Sequence, residues 1–537
     1  MELLHPGVYV QEVPSAVRPI EGVSTSTAAF IGLADKGPVP GTVLPNGRMA
    51  QPVMVTSVTE YTRQFGGFRR DSFLTYAVRA FFENGGQRLY IVRVVGRGPT
   101  SPPSPASRAV GVGAGLAISA INEGVWGNRI SVRIVASSDG DTTNFKLLVL
   151  YDGDPVESFD NLAHSGSPNT APGATRPAEY GRTVINSRSE YIAITADFTA
   201  RPPNTTAIQL GGGSDGPLAQ PADFIGAAAP DNTVTGTGLR ALDKITDVNL
   251  IAIPGQGDPA TVNSGMAYCQ TRPLQDCFFI GDMGTVSSVD AARVEGAAPG
   301  VRRISDARAF ATTGFSGTPL DKASGDYGAI YFPWVLAPDP IGVGRNPKIL
   351  LPPSGFLSGL YARIDNSRGV FKAPAGTEAG VSGALGPAVD VSDTEQDQLN
   401  PISVNVIRVV PGSGLVVWGA RTIGSDTSWR YISVRRMAIF LRVSIYYGIQ
   451  WAVFEPNDEP LWASLRLNIR SFMLTQFRAG AFQGAKPDDA FFVKCDSSTT
   501  TQQDIDNGVV NILVGFAPLK PAEFVVLKLS QKVNPAV

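Results

Sequence analysis

The chain has 537 residues, with 45 Lys and Arg against 47 Asp and Glu, only two His and three Cys. The net charge of −2 argues against a dedicated nucleic-acid binder, which needs a concentrated basic surface, and three scattered cysteines do not form a disulfide framework. The length predicts about three or four domains, and a hydrophobic fraction of 43% is enough for a packed core in each.

The longest strongly apolar runs are also too short for a membrane span. The run from Val443 to Phe454 has about a dozen residues, whereas a spanning helix needs about 20. The N-terminal sequence has neither the basic nor the apolar region of a signal peptide. His5 and His164 are the only histidines, so the sequence offers few groups for general-base catalysis or metal binding through imidazole. We therefore expect a protein made in the cytoplasm without a signal peptide or direct membrane insertion, with no metal and no cofactor.

The N-terminal 22 residues are predicted to form an extended arm. A strand-like run that includes Val8, Tyr9 and Val10 lies between Pro6 and Pro14. Because proline interrupts helices and is tolerated at strand ends, this run is isolated from the rest of the chain.

Residues 23–98 show an alternation of strand and helix patterns that continues at 221–400. Apolar strands that alternate with helices favour a mainly parallel sheet. Pro333 indicates an edge strand or the end of a strand. The predicted strands are 28–32, 89–95, 248–253, 277–280 and 329–335, and the predicted helices are 57–66, 74–82, 260–272, a short one near 289–294, and one around 356–364.

Residues 99–220 are predicted to form an inserted β-rich module. The segment begins with a linker rich in Pro and Ser at 99–108. Strand-like runs at 130–135, 145–151 and 191–195 follow, separated by polar loops. The fold class that we predict is therefore a multidomain α/β protein whose body is interrupted by this module.

Residues 401–520 are predicted to form an α+β C-terminal domain, and residues 521–537 a C-terminal strand arm. The domain is expected to contain a hairpin at 405–418 and two long helices at 431–454 and 461–482. The arm is expected to form an isolated strand that includes Phe524, Val526, Leu527 and Leu529.

The segment Gly211–Gly216 matches two catalytic or cofactor motifs. As a dinucleotide-binding turn it needs a helix directly after it, but Pro217 and a polar loop follow. As the nucleophile turn of a hydrolase, with Ser214 as the nucleophile, it needs a histidine base for which neither histidine has a suitable context. We predict a tight turn that ends the inserted module.

Three arginines, Arg466, Arg470 and Arg478, lie on one predicted helix. At about 100° per residue they fall on one side of it. This cationic face is either an ordinary solvated surface or a contact for an acidic partner.

The two predicted terminal strands leave a second choice open. An isolated apolar strand has edge groups that need partners. Either both strands pair within their own chain, or they complete the sheets of neighbouring copies.

Several stretches, in order along nearly the whole chain, resemble the contractile tail sheath proteins of bacteriophages and phage-tail-like injection particles. The module at 99–220 matches the family least well. The matching stretches are 6–12, 22–32, 329–334, 352–355, 418–422, 431–436, 454–457 and 514–518.

The resemblance implies a helical sheath, made in the bacterial cytoplasm, that surrounds an inner tube, assembles extended and contracts to drive the tube through a target envelope. It implies that both arms join adjacent subunits and that the C-terminal domain faces the tube, so the Arg466, Arg470 and Arg478 face becomes a candidate tube contact. The implied partners are further copies of the chain, the inner tube, the baseplate and a terminator or cap protein. The alternatives are a hydrolase that uses the α/β domain and a non-contractile structural polymer.

Overall fold

The computed structural model describes residues 19–97, 105–109, 116–167, 179–285, 289–293, 303–314, 317–524 and 526. The chain divides into two compact units. The sheet unit comprises residues 24–367 and 374–432, and the helical unit comprises residues 368–373 and the chain from Ser433 onward, with residues 19–23. The structure is mixed α/β with several sheets, as predicted.

The sheet unit begins with five elements in which buried apolar runs form strands and amphipathic runs form helices. Ser57 caps the first helix, where its side chain accepts a hydrogen bond from the Glu60 amide. The elements are β1 (Ala28–Leu33), β2 (Val53–Val55), α1 (Val58–Phe65), α2 (Leu74–Glu83) and β3 (Leu89–Val94).

Eight strands and one α-helix are described in the segment that the sequence assigns to the inserted module. They form two small sheets, with strand orders β10-β5-β4 and β11-β6-β7-β8-β9, around a core that includes Trp126 and Phe145. The ten-residue β8 has a polar sequence, and its pattern did not predict a strand. The elements are β4 (Pro105–Ala109), β5 (Ala117–Glu123), β6 (Ile130–Ala136), β7 (Phe145–Tyr151), β8 (Asp154–Ala163), β9 (Glu179–Tyr180), α3 (Gly181–Arg188), β10 (Ile192–Ile194) and β11 (Ile208–Gln209).

The α/β alternation then returns. The strand predicted at 329–335 is two strands, because Pro333 lacks the amide proton that would continue the ladder. The elements are α4 (Pro221–Ile225), β12 (Leu250–Ala252), β13 (Gln256–Gly257), α5 (Pro259–Thr271), β14 (Phe278–Asp282), β15 (Gly284–Thr285), α6 (Val289–Arg293), α7 (Ile304–Thr312), β16 (Gly328–Phe332), β17 (Val335–Pro338), β18 (Lys348–Leu351), α8 (Ser354–Arg368), β19 (Gly386–Pro387), α9 (Asp393–Leu399), β20 (Val404–Val410) and β21 (Gly414–Val417).

The main sheet of this unit has eight strands in the order β2-β3-β1-β12-β14-β16-β20-β21. The six inner strands are parallel to one another, and the edge strands β2 and β21 are antiparallel to them. The hairpin of β20 and β21, which the sequence assigned to the C-terminal domain, therefore belongs to this sheet. The hairpin joins the sheet through β20, whose Val404 pairs in parallel register with Ile330 of β16. The boundary between the two units therefore lies after Ile432 rather than at residue 400.

The helical unit has two long helices and a small hairpin. The first helix is shorter than predicted, because it ends at Gly448 and a single 3₁₀ turn follows at Gln450–Ala452. The elements are α10 (Ile432–Gly448), α11 (Glu459–Arg478), α12 (Pro487–Ala490), β22 (Phe491–Lys494), α13 (Gln502–Asp506) and β23 (Leu513–Phe516).

Asp282, at the end of β14, connects three parts of the sheet unit. Its buried carboxylate accepts hydrogen bonds from the Gly255 amide at 2.9 Å and from the amide and hydroxyl of Ser354 at 2.8 and 2.7 Å. Burial nevertheless raises the pKa of this carboxyl from 3.8 to about 6, because desolvation outweighs the three hydrogen bonds.

We predict that the Asp282→Asn substitution changes how stability depends on pH. Because the folded pKa lies above the unfolded one, the ionisable Asp282 contributes stability that is fully present below pH 4 and is lost as the pH rises through 6. The stability of the wild type relative to Asp282→Asn should therefore fall by about 2–3 kcal/mol between pH 4 and pH 6. Urea unfolding at each pH measures this difference, and the exposed Asp390→Asn is the control. A difference that is constant or grows with pH would contradict the assignment.

Candidate assembly surfaces

The arginine face predicted on the second long helix is present on α11. Asp458 caps this helix by accepting a hydrogen bond from the Leu461 amide at 3.1 Å, and Pro460 lies in its first turn. One side of the helix packs into the core of the unit through Ile469, Phe472 and Met473. The arginines are on the remaining surface, half-buried at Arg466 and exposed at the other two positions.

Two of these three arginines form ion pairs within the chain. Arg466 pairs with Glu459 at 3.1 Å and donates to the carbonyl of Cys495. Arg470 pairs with Asp488 at 2.8 Å.

In the part of the chain that the structure describes, Arg478 has no ion-pair partner. The cationic face is therefore weaker than the sequence indicates, and Arg478, at the C-terminal end of α11, is its most available charge.

In the described part of the chain, no third strand pairs with either edge of the hairpin of β22 and β23. Its strands are antiparallel, with Phe491 paired to Phe516 at one end and Lys494 paired to Leu513 at the other. They form a two-stranded sheet among the described residues. Phe492 and Leu513 expose about half of their side chains, at 46% and 53%. A two-stranded sheet with exposed apolar side chains is a template for further strands. Sequence reasoning did not identify this hairpin, because its strands have only four residues each and lie 18 residues apart.

The predicted arms are described only at their bases. Val8, Tyr9, Val10, Leu527 and Leu529 lie outside the described residues.

Phe524 and Val526 are described, and they are 76% and 77% exposed. They belong to no strand among the described residues.

The end of the N-terminal arm packs along α10 inside the helical unit. Ile20 is buried beside Gly448, where a Cβ atom on the glycine would lie 2.6 Å from the Ile20 side chain. The Val23 amide donates to the Ser444 hydroxyl at 3.1 Å. The arm thus leaves the same unit that contains the open hairpin.

Gly211–Gly216, the segment that matches two catalytic or cofactor motifs, joins the β-rich segment to the main sheet. The Asp215 carboxylate accepts hydrogen bonds from the Val125 amide at 3.0 Å and from Arg69 at 3.1 Å, and it lies 3.9 Å from the guanidinium of Arg93. Gly212 and Gly216 have φ angles of 86° and 77°, which an L-residue rarely adopts. The segment is a loop that passes the carboxyl ends of β1 and β3, where Leu33 and Val94 line the same cavity as Asp215.

The motif's serine takes part in this turn. Ser214 accepts a hydrogen bond from the Gly216 amide at 3.1 Å, and His164 lies 3.2 Å from the carbonyl of Ser165. A cavity of about 270 Å³ beside the turn is lined by Arg69, Arg93, Asp71 and Asp215, and these charges pair with one another.

Among the helices that the structure describes, none has the length and apolar character needed to cross a bilayer. Within the described ranges, no group of three or more His, Cys, Asp or Glu side chains is arranged to hold a metal ion.

Comparison with known proteins gives a consistent result. The model of the phage tail sheath protein central domain matches residues 234–423, and that of the phage tail sheath C-terminal domain matches residues 424–532. Together they cover more than half of the chain.

Curated relatives include a prophage major tail sheath protein of Pseudomonas aeruginosa, 25% identical over 32% of this chain and 44% of its own length. The tail sheath protein of Vibrio phage KVP40 is 27% identical over 33% of this chain and 26% of its own. The chain thus spans less than half of the length of either relative.

The fold is similar over almost the whole chain to a solved structure. The sheath of an extracellular contractile injection system, PVC, determined in the contracted state, matches with a TM-score of 0.55 and 22% identity. The match covers 99% of both chains.

Proposed function

Because the chain belongs to the phage tail sheath family, we propose that it is the structural subunit of a contractile sheath. In this proposal it polymerises helically around an inner tube and contracts to drive that tube through a target cell envelope. The observation that carries the proposal is the match of two consecutive sheath-domain models across residues 234–532. The near-complete fold similarity to a contractile sheath supports it.

The role that we propose is mechanical rather than catalytic. Identical subunits joined head to tail through non-closing contacts form helical stacks. Contraction then requires two packings of the same subunits, with the extended one kinetically trapped. The work would come from the interfaces that form during the rearrangement.

The proposed partners are further copies of the chain, the inner tube, the baseplate and a terminator or cap protein, without nucleic acid. The subunit would be made in the bacterial cytoplasm and act in a virion tail or a released phage-tail-like particle.

We further propose that the arms pair with the open hairpin of neighbouring copies. The edges of β22 and β23 offer backbone groups, and Phe492 and Leu513 offer apolar surface. Phe524 and Val526 offer matching exposed side chains at the base of the C-terminal arm. Each arm is covalently part of its own subunit, so strand addition to a neighbour would keep the two subunits connected while the rigid units move.

The α11 face is our candidate for the tube contact. Arg478 has no ion-pair partner among the described residues, so it can pair with an acidic group without breaking a bond. Arg466 and Arg470 can contribute only by sharing or exchanging their present partners, Glu459 and Asp488.

Negative-stain electron microscopy of the purified protein tests the general proposal. A contractile sheath should give rods of two diameters, a non-contractile polymer rods of one diameter, and a hydrolase that uses Ser214 a defined small oligomer. Rods of a single diameter under all conditions would refute contraction.

We predict that deletion of residues 524–537 leaves a folded subunit that does not polymerise. Phe524 and Val526 are exposed, so their removal takes nothing from the core of the described chain. Thermal unfolding followed by circular dichroism should be unchanged, and electron microscopy should show no rods. Substitution of Phe524 and Val526 by Thr, which also favours strands, is the milder control. Full-length rods from the deletion variant would contradict the role of the arm.

We predict that Arg478→Glu reduces tube-templated assembly more than Arg470→Glu does, and that neither alters folding. The Arg478→Glu substitution removes a cation that has no ion-pair partner among the described residues, whereas Arg470 is already paired with Asp488. Exposed pairs of this kind contribute only about 0–1 kcal/mol to stability, so unfolding should change little. Asp488→Asn, which releases Arg470, should preserve or strengthen assembly. Co-sedimentation with tubes measures the effect, and equal assembly by all variants would exclude this face.

A further inference from the structure

The turn between α10 and α11 carries an apolar side chain in an unusual position. Phe454 is fully exposed, and its backbone φ of 69° lies in the left-handed region. A bulky residue gains nothing locally from this conformation, which costs of order 1 kcal/mol or more. Neighbouring Val453 is also more than half exposed. We call residues 453–456 the acidic turn, because Glu455 is its only charged residue.

The acidic turn is held rigidly by its surroundings. The Glu455 amide donates to the carbonyl of Ala452 at 3.2 Å. The Asn457 side chain donates to the carbonyl of Val509 at 3.1 Å and accepts from the indole of Trp462 at 2.8 Å. The turn therefore presents Phe454 to solvent in a fixed position, which is the property of a preorganised anchor.

Glu455 adds a charge to this anchor. Its side chain is exposed and has no ion-pair partner within the described residues. The turn thus offers an aromatic ring beside an unpaired carboxylate. Its complement is an apolar recess next to unpaired cations.

The sheet unit carries a surface with that description. Residues 340–348, which comprise most of the loop between β17 and β18 and the first residue of β18, contain Val343, which is 95% exposed, and the exposed cations Arg345 and Lys348. Neither cation has an ion-pair partner in the ranges that the structure describes. We call residues 340–348 the basic loop.

A recess lies at the base of the basic loop. It has a volume of about 350 Å³, and its lining includes Tyr76, Pro338, Pro340 and Phe356, together with the ion-paired Arg79 and Glu83. This volume is large enough for a phenyl side chain, and aromatic and proline surfaces pack well against one.

We propose that the acidic turn of one copy docks on the basic loop of a second copy. Phe454 enters the recess beside Pro340, and Glu455 pairs with Arg345 or Lys348 of the neighbour. Two different, complementary patches on one chain are what a head-to-tail contact between identical subunits requires. The inference rests on the proposed function, since it identifies one contact of the sheath polymer.

Variants at both surfaces test the contact through the critical concentration for polymerisation, measured by sedimentation. Phe454→Gly, which also relieves the backbone, should raise this concentration about tenfold or more, as expected for an aromatic anchor. It should leave the unfolding temperature equal or higher. Leu218→Ala, at an exposed apolar position of the sheet unit outside both proposed surfaces, is the matched control and should change neither quantity.

Charge reversal supplies a test that general damage cannot mimic. Glu455→Arg alone and the Arg345→Glu/Lys348→Glu pair alone should each weaken polymerisation, and the three substitutions together should restore it to within about threefold of the wild type. Absence of rescue, or normal polymerisation by every single-surface variant, would overturn the contact.

Cross-linking shows whether the contact joins two copies. Oxidised mixtures of Val343→Cys and Glu455→Cys subunits should give cross-linked dimers, and neither variant alone should do so, because Cys269, Cys277 and Cys495 are buried. Cross-links in the unmixed variants, or none in the mixture, would overturn the proposal. A wild type that forms no polymer would instead count against the proposed function itself.

Discussion

The sheet unit depends most on the hydrogen bonds and the ion pair made by the buried guanidinium of Arg93. β3, which carries Arg93, and β12 both pair with β1, yet about 150 residues separate them in sequence. Arg93 donates to the carbonyls of Gly37 at 2.7 Å and Glu123 at 2.8 Å, and Asp215 lies 3.9 Å away. Burial lowers the pKa of this arginine to about 10, so it still carries its charge at neutral pH.

This geometry explains how a large segment can interrupt a parallel sheet. Glu123 lies near the beginning of the described part of that segment and Asp215 near its end, and both contact Arg93. A buried charge is tolerated only when several acceptors surround it. Because those acceptors come from both ends of the segment, the charge fixes where the chain leaves the sheet and where it returns. Gly124 permits the close approach, because a Cβ atom there would lie 2.7 Å from the Asp215 carboxylate and 2.9 Å from the Arg93 guanidinium. The sequence feature at 211–216 that resembled a cofactor or nucleophile turn is a structural junction.

The sequence predicted the elements of the sheet well, and the reason is local. Runs such as Ala28–Leu33 and Phe145–Tyr151 are apolar at nearly every position, and Ser57 and Asp458 are capping residues at helix starts. The strand β8 pairs with β7 across the two-residue turn Asp152–Gly153, and it was missed because its polar sequence lacks the apolar alternation of a strand. The assignment of β20 to the main sheet could not be predicted, because it depends on pairing with the distant strand β16. The same limit applies to the arginines of α11. Helical spacing placed them on one side, but the pairing of Arg470 with Asp488, 18 residues away, is a tertiary fact.

If the α11 face is the tube contact that we propose, the pairing within this face has a consequence for how the sheath holds and releases its tube. An exposed ion pair contributes only about 0–1 kcal/mol, so Arg470 can exchange Asp488 for an acidic group on a partner at little net cost or gain. A contact built from such exchanges is weak for each subunit. In a polymer, however, many identical weak contacts act together, and their sum can hold a tube firmly. Rearrangement of the subunits would then break these contacts one at a time, with Arg466 returning to Glu459 and Arg470 to Asp488. A cationic face that is largely satisfied within its own chain is therefore better suited to a reversible grip than three free arginines would be.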